Sequence, residues 1–600
     1  MMRRALAGAA ATLRLGVLKT LRLALFSPRR LPAALKAARR DASLLNRQYA
    51  VLLRKQQLTP SRTAAIREEI ETFRLAPTVS LLMPVFNIER HWLEAAVNSV
   101  VGQLYPHWQL CIADDASTSP YIGPFIAELA ARDSRINVVR LTANEGISGA
   151  SNRALEMATG SFVAPMDHDD VLSPDALYEV VKRINEDPTL DFMYTDHDVR
   201  DAKGVRRHPF FKPHWSPDLL LSMNYVSHFS VYRRALVERA GAFRKGLEGG
   251  QDYDLALRVT ELTTRIGHIP KVLYSWSQAP SSVASDPGAK PYAHEAGRRA
   301  LQDAMARRGI EGEVIDAFGA PYRYRVRRSI MGHPTVSIII PTRDNYRLLS
   351  RCVASIESGT DYRQFEIIIV DTDSTDARIG DFLATRPYRV VRSPGPFNVA
   401  RMNNEAAAAA RGEHLLFLND DTEAITAGWL ESMLEHSQRR EVGAVGARLL
   451  FRNGTLQHAG VVVGIGGKAG HPFRGFPGDY PGYYDCARVI RNLSAVSAAC
   501  LMTRKAVFEE VNGFDDSLFA VSYNDVDLCL RLRSRGYVVV YTPYAVLSQH
   551  ESASHGEYDA KEDLQSAERL RERWQQIFED GDPYYNPNLT LTRFDYSLRV

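Results

Sequence analysis

The chain has 600 residues, 45% of them apolar and 24% charged, a globular composition whose length exceeds what one hydrophobic core usually supports. Five scattered cysteines without paired spacing argue against a disulfide scaffold or a zinc knuckle and favour a reducing compartment. The net charge is only +4, but residues 1–75 hold 16 Lys and Arg against 4 Asp and Glu, while the remainder holds 58 against 66.

The first 75 residues are predicted to form a basic helical arm. Residues 5–26 are apolar but interrupted by Arg14, Lys19 and Arg22, so they match neither a transmembrane helix nor a signal-peptide core. The first 40 residues contain ten basic residues and no acidic one, and we expect this arm to bind an anionic lipid surface. An arm that packs on the rest of the chain is the alternative.

Two helices are predicted in the arm, over 31–58 and 62–75, the second with Ser61 as its N-cap. From residue 78 onward short apolar runs alternate with helical segments, which is typical of a parallel sheet covered on both faces. Strands are predicted over 78–84, 108–112, 135–141 and 161–166, with helices over 92–104 and 149–158. The second half repeats this order, with strands over 335–341, 365–370, 389–391 and 414–418 and helices over 346–358 and 398–410.

Between the two halves, residues 279–291 have the composition of a loop, and a helix over 293–308 and a strand over 322–328 follow. A charged helix is predicted over 557–578. The expected organisation is therefore an arm (1–75), a first domain (76–330) and a second domain (331–600), both of α/β class.

Three motifs recur in the same order in both halves. Each half has an apolar strand that reaches a proline, then a carboxylate cluster, then an acidic pair. In the first half these motifs are Val79–Asn87, Met166–Asp170 and Gly250–Leu255, and in the second half Val336–Asp344, Leu418–Thr422 and Tyr523–Leu528. An ordered set that recurs over some 250 residues marks two whole domains rather than solenoid repeats.

The carboxyl ends of the first two strands of each half are candidate nucleotide contacts, because ligands of open α/β sheets bind outside these ends. Pro84 and Pro341 end the first strands, and Asp114, Asp115 and Asp371 follow the second strands. A carboxylate there can accept hydrogen bonds from a uracil or thymine imide and from ribose hydroxyls. The alternative is a turn residue or a helix N-cap.

The carboxylate clusters are candidate metal sites. Residues 167–170 read Asp-His-Asp-Asp and residues 419–421 read Asn-Asp-Asp, each directly after an apolar strand. Mg²⁺ and Mn²⁺ prefer one or two carboxylates together with phosphate oxygens, so a cation here would neutralise a diphosphate leaving group. A solvated acidic turn is the alternative.

The acidic pairs are candidate general bases. Asp252 and Asp525 each precede a run with helical spacing, so each is predicted at a helix N-terminus, where it can accept a proton from an incoming hydroxyl. Simple N-capping is the alternative, since Asp is favoured at that position.

These ordered motifs resemble glycosyltransferase family 2, in a tandem arrangement of two GT-A-type (Rossmann-like) domains that covers residues 76–600. The resemblance implies an inverting transfer with Asp252 and Asp525 as bases. It implies nucleotide-sugar contacts from Pro84, Asp114, Asp115, Asp167, Pro341, Asp371 and Asp420, and metal ligands from Asp169, Asp421 and the late histidine His550.

The chain departs from the family pattern in places. Asn419 stands where the first Asp of Asp-x-Asp is expected, and Gln251 and Asn524 replace the acid before each base. The expected Tyr-His-Trp-Arg of the first domain reads Tyr-Ser-Trp-Ser at residues 274–277, which removes a histidine ligand and a phosphate contact.

The setting implied by the resemblance is the assembly of a bacterial surface polysaccharide, such as O-antigen or capsule. The expected partners are a UDP-, dTDP- or GDP-linked sugar donor with Mg²⁺ or Mn²⁺, a lipid-linked oligosaccharide acceptor and the cytoplasmic face of the inner membrane, with the protein peripheral to it. Residues 203–225 and 451–484, rich in His, Pro, Gly and aromatics, are candidate acceptor loops.

Three alternatives stay open. One domain, more plausibly the first, is inactive and binds or positions the glycan; both domains bind nucleotide sugars without transfer; or the basic arm binds nucleic acid. The last is disfavoured because the arm lacks interleaved aromatic residues and the main body is acidic.

Overall fold

The structure is a computed structural model that describes residues 31–278, 291–318, 320–550 and 560–600, with side chains from residue 44 onward and, after the last gap, from 562. The segment 5–26 that we expect to bind lipid and the predicted loop 279–290 lie outside these ranges. Within the described ranges, no helix combines the length and the apolar character needed to cross a membrane.

The arm forms two helices, Leu31–Gln56 and Pro60–Glu71. The second begins one residue before Ser61, and its N-cap is Thr59, whose Oγ1 accepts a hydrogen bond from the backbone N–H of Arg62 at 3.2 Å. The prediction of Ser61 as N-cap is therefore wrong. Proline suits the first helical position because its missing N–H needs no partner there.

The described part of the arm packs on the rest of the chain. Tyr49 and Leu52 are buried in a hydrophobic cluster shared with the second domain, and Ile66 is buried in the core of the first. The Tyr49 hydroxyl donates a hydrogen bond to Asp198 Oδ2 at 2.6 Å. The described part of the arm is thus a structural element that packs on both domains.

The first domain is built on a nine-stranded mixed sheet in the order β3-β2-β1-β4-β8-β6-β9-β5, with β7 paired to β6. Its strands are β1 (Val79–Val85), β2 (Trp108–Asp114), β3 (Ile136–Arg140), β4 (Phe162–Pro165), β5 (Val171–Leu172), β6 (Phe192–Arg200), β7 (Arg206–Phe210), β8 (Ser230–Arg233) and β9 (Ile266–Ser277). Its helices are Arg90–Val101, Ile122–Arg132, Gly146–Met157, Ala176–Glu186, Pro217–Leu220, Arg234–Arg239, Gln251–Val259 and Pro291–Arg307. A hairpin of β10 (Gly312–Asp316) and β11 (Tyr324–Arg328) follows.

The second domain repeats the plan in a ten-stranded sheet ordered β14-β13-β12-β15-β22-β17-β23-β16, with β18 paired to β17 and β21 to β23. Its strands are β12 (Val336–Thr342), β13 (Phe365–Asp371), β14 (Arg389–Arg392), β15 (His414–Leu418), β16 (Thr422–Ala424), β17 (Val442–Phe451), β18 (Leu456–His458), β21 (Arg491–Leu493), β22 (Cys500–Arg504) and β23 (Val538–Gln549), and β19 (Val462–Val463) and β20 (Ala469–Gly470) form a separate hairpin. Its helices are Tyr346–Gly359, Ala377–Ala384, Val399–Ala409, Trp429–Ser437, Lys505–Glu510 and Asn524–Ser534, and the tail adds Ala560–Arg573 and Gln575–Asp580.

The sheets are only half parallel. The first four strands of each domain pair in parallel, as predicted, but β8 runs antiparallel to β4 and β22 antiparallel to β15. The prediction of a fully parallel sheet is wrong because it rested on these first strands, whose continuous apolar runs indicate burial on both faces. No element between residues 166 and 250 was predicted.

The two domains are held together by buried polar contacts. Asp218 of the first domain pairs with Arg439 of the second at 2.6 Å, and Asn492 Nδ2 donates to the same carboxylate at 2.8 Å. The C-terminal segment crosses the interface as well. Asn586 Nδ2 donates to Asp196 Oδ2 at 3.0 Å and to the carbonyl of Lys212 at 2.8 Å, both in the first domain.

Candidate active sites

The parallel pairing of β1, β2 and β4 brings their carboxyl ends to one edge of the first sheet, and β12, β13 and β15 do the same in the second. Pro84 pairs with Ala113, and Pro341 with Val370. The motifs singled out in the sequence therefore meet at corresponding edges of the two domains.

The predicted nucleotide aspartates are buried at these edges. Asp114 is the last residue of β2 and Asp371 the last residue of β13, and both side chains are fully buried. Arg140 Nε lies 3.2 Å from Asp114 Oδ2, and Arg392 forms an ion pair with Asp371. Asp371 Oδ1 has no hydrogen bond, and Asp114 Oδ2 has no partner beyond its ion pair with Arg140. A buried acceptor without a donor is costly unless a ligand satisfies it.

Asp115 is also buried, and its Oδ1 accepts a hydrogen bond from the backbone N–H of Glu145 at 2.6 Å. Burial raises the pKa of the Asp115 carboxyl. The second domain has Thr372 next to Asp371, and its hydroxyl donates to the carbonyl of Ser393 at 2.5 Å. The first domain therefore has two adjacent acids here, Asp114 and Asp115, where the second domain has only Asp371.

The first carboxylate cluster forms a group able to hold a metal ion. Asp167, Asp170 and His228 each offer a ligand atom, and these atoms lie within 4.8 Å of one another. Asp170 is buried, and Tyr274 Oη donates to its Oδ2 at 2.6 Å. Burial, and then the negative charges of Asp169 and Asp167, raise the pKa of Asp170 well above its usual range. A divalent cation would remove this repulsion, so the donor set fits such an ion.

Asp169, a predicted metal ligand, is not a member of this group of three, although it immediately precedes Asp170. His168, between the aspartates of Asp-x-Asp, contacts the carbonyl of Pro84 through Nδ1 at 2.9 Å. Since this contact joins the motif to the end of β1, it fixes the cluster against the edge of the sheet. The role of Asp169 stays a prediction.

The second cluster has a different arrangement. Asp420 Oδ2 accepts a hydrogen bond from Thr342 Oγ1 at 2.7 Å, and burial raises the pKa of Asp420 to about 6. Burial and the charge of Asp420 raise the pKa of Asp421 to about 7, while Gln549 Nε2 donates to Asp421 Oδ1 at 3.3 Å. Two buried carboxyls side by side favour a cation for the reason given for the first domain.

His550 lies beside this second cluster. Its backbone N–H donates to the carbonyl of Asp421 at 2.8 Å, and its Nε2 lies 2.7 Å from Glu423 Oε1. A cleft of about 550 Å³ opens here, lined by Gln549, His550, residues 451–453, Thr455 and Gly475. The sequence motif thus brings the late histidine to the cluster, with Glu423 as its present partner.

The candidate bases occupy equivalent positions. Asp252 and Asp525 are each the second residue of a helix, and both carboxyls have pKa values raised by burial. Asn224 Nδ2 donates to Asp252 Oδ2 at 2.9 Å. The backbone N–H of Ala498 donates to Asp525 Oδ2 at 2.9 Å. A raised pKa brings a carboxylate closer to the value that general-base catalysis needs.

The helix ends also bear on the alternative of N-capping. The N-cap positions are occupied by Gly250 and Tyr523, and neither makes a side-chain cap. Asp252 and Asp525 follow two residues later and are held by contacts from other segments. Neither aspartate is an N-cap, so the alternative of simple N-capping is wrong, whereas the predicted location of both at helix N-termini is confirmed.

Sequence reasoning missed His228, Asn224 and the contribution of Tyr274. His228 lies between β7 and β8, far from the acidic cluster along the chain, and no regular spacing connects the two. The available signal was its place three residues after the end of the candidate acceptor loop 203–225.

Comparison with protein-family models decides the family. The model for glycosyl transferase family 2 matches residues 80–241 and again 337–510, more than half of the chain. The chain belongs to glycosyltransferase family 2. Both the family and the tandem α/β fold predicted from the repeated motifs are confirmed.

Curated relatives extend this similarity along the chain. The uncharacterized protein y4gI of Sinorhizobium fredii is 43% identical over 544 residues, which cover 89% of this chain and 60% of that protein. The O-antigen biosynthesis protein RfbC of Myxococcus xanthus is 40% identical over 546 residues, 90% of this chain and 42% of that protein. The chain therefore spans about half the length of these relatives.

A shorter match is to the UDP-Glc:alpha-D-GlcNAc-diphosphoundecaprenol beta-1,3-glucosyltransferase WfgD of Escherichia coli, 32% identical over 127 residues, 21% of this chain and 48% of that protein. Among solved structures, Staphylococcus aureus TarS 1-349 is 21% identical over 38% of this chain and 65% of that chain, with a TM-score of 0.31. That score is too low to support an argument about the site.

Proposed function

We propose that this family 2 glycosyltransferase is an inverting, metal-dependent enzyme that moves sugars from nucleotide-diphosphate sugars to a growing surface glycan. The observation that carries the proposal is the repetition of the site. A buried aspartate at the end of the second strand, a carboxylate cluster after the fourth strand and an aspartate at the second position of a helix occur in both domains. Chance does not place three such groups at equivalent edges twice.

The residues divide the work as follows. Asp371, whose Oδ1 makes no hydrogen bond, and Asp114, whose Oδ2 has only the Arg140 guanidinium beside it, bind the nucleoside. A divalent cation, when bound at the clusters, neutralises the charge of the diphosphate leaving group. Asp252 and Asp525 accept the proton of the acceptor hydroxyl while its oxygen forms the bond to the anomeric carbon. The bond to the diphosphate breaks on the opposite face, so the configuration inverts.

The test compares three variants of the full chain in sugar transfer with UDP-, dTDP- and GDP-sugars and Mn²⁺ or Mg²⁺. Asp252→Asn and Asp525→Asn remove each base while keeping the shape, and we expect turnover at the altered site to fall about 10²–10⁴-fold. Asp580→Asn, at an exposed position, is the matched control. Nucleotide affinity measured by calorimetry should stay within about twofold, because the base does not contact the nucleotide.

The outcome also separates one active domain from two. If each substitution abolishes a different donor or linkage, both domains catalyse transfer. If only Asp525→Asn abolishes transfer, the first domain binds or positions the glycan, an alternative favoured by the missing histidine and arginine on either side of Trp276. Transfer at the normal rate in both variants would refute the assignment of the bases.

The acceptor and the location of the enzyme form the second part of the proposal. The 550 Å³ cleft beside His550, bordered by the candidate acceptor loop 451–484, supports an oligosaccharide site next to the second cluster. The relatives named for O-antigen biosynthesis and for a diphosphoundecaprenol acceptor support a lipid-linked glycan at the inner face of a bacterial inner membrane. Sedimentation with vesicles of anionic lipid, with and without residues 1–30, tests whether the basic arm binds that surface.

A further inference from the structure

The two domains differ at the position of the late histidine. In the first domain, Val171 stands two places after Asp169 and pairs with Ser275. In the second domain, Glu423 stands two places after Asp421 and pairs with Ser548. Two residues further along these strands, the second domain has its late histidine and the first domain has a serine. The first domain therefore lacks an imidazole from this strand.

Ser277 supports the cluster in another way. Its backbone N–H donates to Asp170 Oδ1 at 2.7 Å, and its side chain is fully buried. The Ser277 hydroxyl has no hydrogen-bond partner among the described residues. This buried hydroxyl lies next to the carboxylate cluster, where a bound ligand could satisfy it.

The two domains also differ at a second position, where the first domain has a histidine and the second has none. Arg233 of β8 lies opposite Phe162, and Arg504 of β22 lies opposite His414, so the two arginines are equivalent. Five residues before them, the first domain has His228 and the second has Ala499. Apart from His168 within the motif itself, each domain thus has one histidine that another segment brings to its cluster, His228 from the turn before β8 and His550 from the end of β23.

The position of His228 is fixed from several sides. Its Nε2 lies 3.6 Å from Asp167 Oδ2. Its ring packs against Tyr274 and Trp276, with ring centroids 5.1 and 5.3 Å away. The buried Lys212 ammonium donates to the His228 carbonyl at 3.0 Å. An imidazole held in this way loses little freedom when it binds an ion.

We propose that His228 is the imidazole ligand of the first domain and binds a divalent cation together with Asp167 and Asp170. The inference rests on the proposed metal dependence of this domain. In the first domain, the imidazole ligand therefore comes from the turn before β8 and not from the position of the late histidine. Imidazole nitrogen with carboxylate oxygen suits a first-row transition ion such as Mn²⁺.

The experiment measures Mn²⁺ binding by the full chain, with Asp421→Asn present throughout to weaken the second site. Electron paramagnetic resonance of free Mn²⁺ gives the affinity, and electron spin-echo modulation detects a ¹⁴N nucleus bound to the ion. With His228 intact we expect binding with a nitrogen signal. His228→Ala should lower the affinity at least about tenfold and remove that signal.

Two further variants separate a ligand from a structural residue. Adding Ser277→His to His228→Ala should restore the nitrogen signal, because it returns an imidazole to the position that the second domain uses. His107→Ala, at an exposed histidine before the amino end of β2 and away from both clusters, is the matched control in the same background and should change nothing. Far-UV circular dichroism verifies folding, and His228→Gln replaces the alanine variant if that variant unfolds.

Each failure has its own signature. Unchanged affinity and an unchanged nitrogen signal in folded His228→Ala or His228→Gln would overturn the assignment of His228 and leave the proposed function standing. Absence of Mn²⁺ binding with His228 present would overturn both this inference and the metal dependence of the first domain.

Discussion

Arg439→Met tests the ion pair that joins the two domains. Arg439 and Asp218 lie 2.6 Å apart, and their side chains are 10% and 3% exposed. The substitution leaves the Asp218 carboxylate buried with Asn492 as its remaining side-chain donor from the second domain. Removing one partner of a buried pair costs about 3–5 kcal/mol, since the other charge stays uncompensated.

For a domain of about 250 residues, each kcal/mol lowers Tm by about 2–4 °C, so the expected loss is roughly 6–20 °C. Differential scanning fluorimetry at pH 7 measures it. Arg440→Met removes an exposed neighbouring arginine and should change Tm by less than about 2 °C. Adding Asp218→Asn to Arg439→Met should recover part of the loss. A wild-type Tm in Arg439→Met would refute the energetic role of the pair.

The same pair predicts a pH dependence. Burial acts to raise the pKa of Asp218, but the charge of Arg439 outweighs it and lowers the pKa to about 2. An unfolded aspartate titrates near pH 3.9, so the stabilisation is complete above about pH 4 and is lost as the pH falls from about 4 to 2. The Tm difference between wild type and Arg439→Met should therefore be full at pH 7 and shrink as the pH falls towards 2, where the Asp218 carboxyl is protonated in both proteins. A constant difference down to pH 2 would contradict this linkage.

Two other substitutions test the packing. Tyr49→Phe removes the hydrogen bond to Asp198 and should lower the free energy of unfolding by about 1.5–3 kcal/mol in urea denaturation, whereas Tyr292→Phe, at a 55% exposed residue, should not. Gly446→Ala places a Cβ 2.4 Å from the nearest side-chain carbon and should cost about 1–3 kcal/mol, whereas Gly428→Ala has open space and should cost less than about 1 kcal/mol. Equal effects in variant and control would contradict either contact.

Much of the parallel half of each sheet could be predicted from the sequence. Strand β15 has the bounds predicted for it, 414–418, and β13 extends one residue beyond its predicted end, to Asp371. These runs are continuously apolar because both faces of the strands are covered, and such runs are visible without any knowledge of pairing. The other half was missed because its long strands, such as β6 (FMYTDHDVR) and β9 (IGHIPKVLYSWS), have polar and charged residues among the apolar ones, so no continuous apolar run marks them.

The candidate site could be predicted as far as its acidic residues. The aspartates recur in order, so Asp114, Asp252 and their counterparts were found from the repeat alone. His228 could not be found, because it reaches Asp167 only when β8 folds back antiparallel to β4. Asp167 and His228 are 61 positions apart, and their contact depends on a strand pairing that no spacing or periodicity in the sequence indicates.

The contact of Asn586 with Asp196 and Lys212 has a consequence for biosynthesis. Asn586 follows Lys212 by 374 residues, so a ribosome adding 5–20 residues per second delivers it roughly 20–75 s after the lysine. Throughout that interval, the Asp196 carboxylate and the Lys212 carbonyl of the nascent first domain do not have Asn586 as their hydrogen-bond donor. The first domain therefore reaches its final state only after the second domain has been synthesised. A ribosome that stops before residue 586 leaves both halves unfinished.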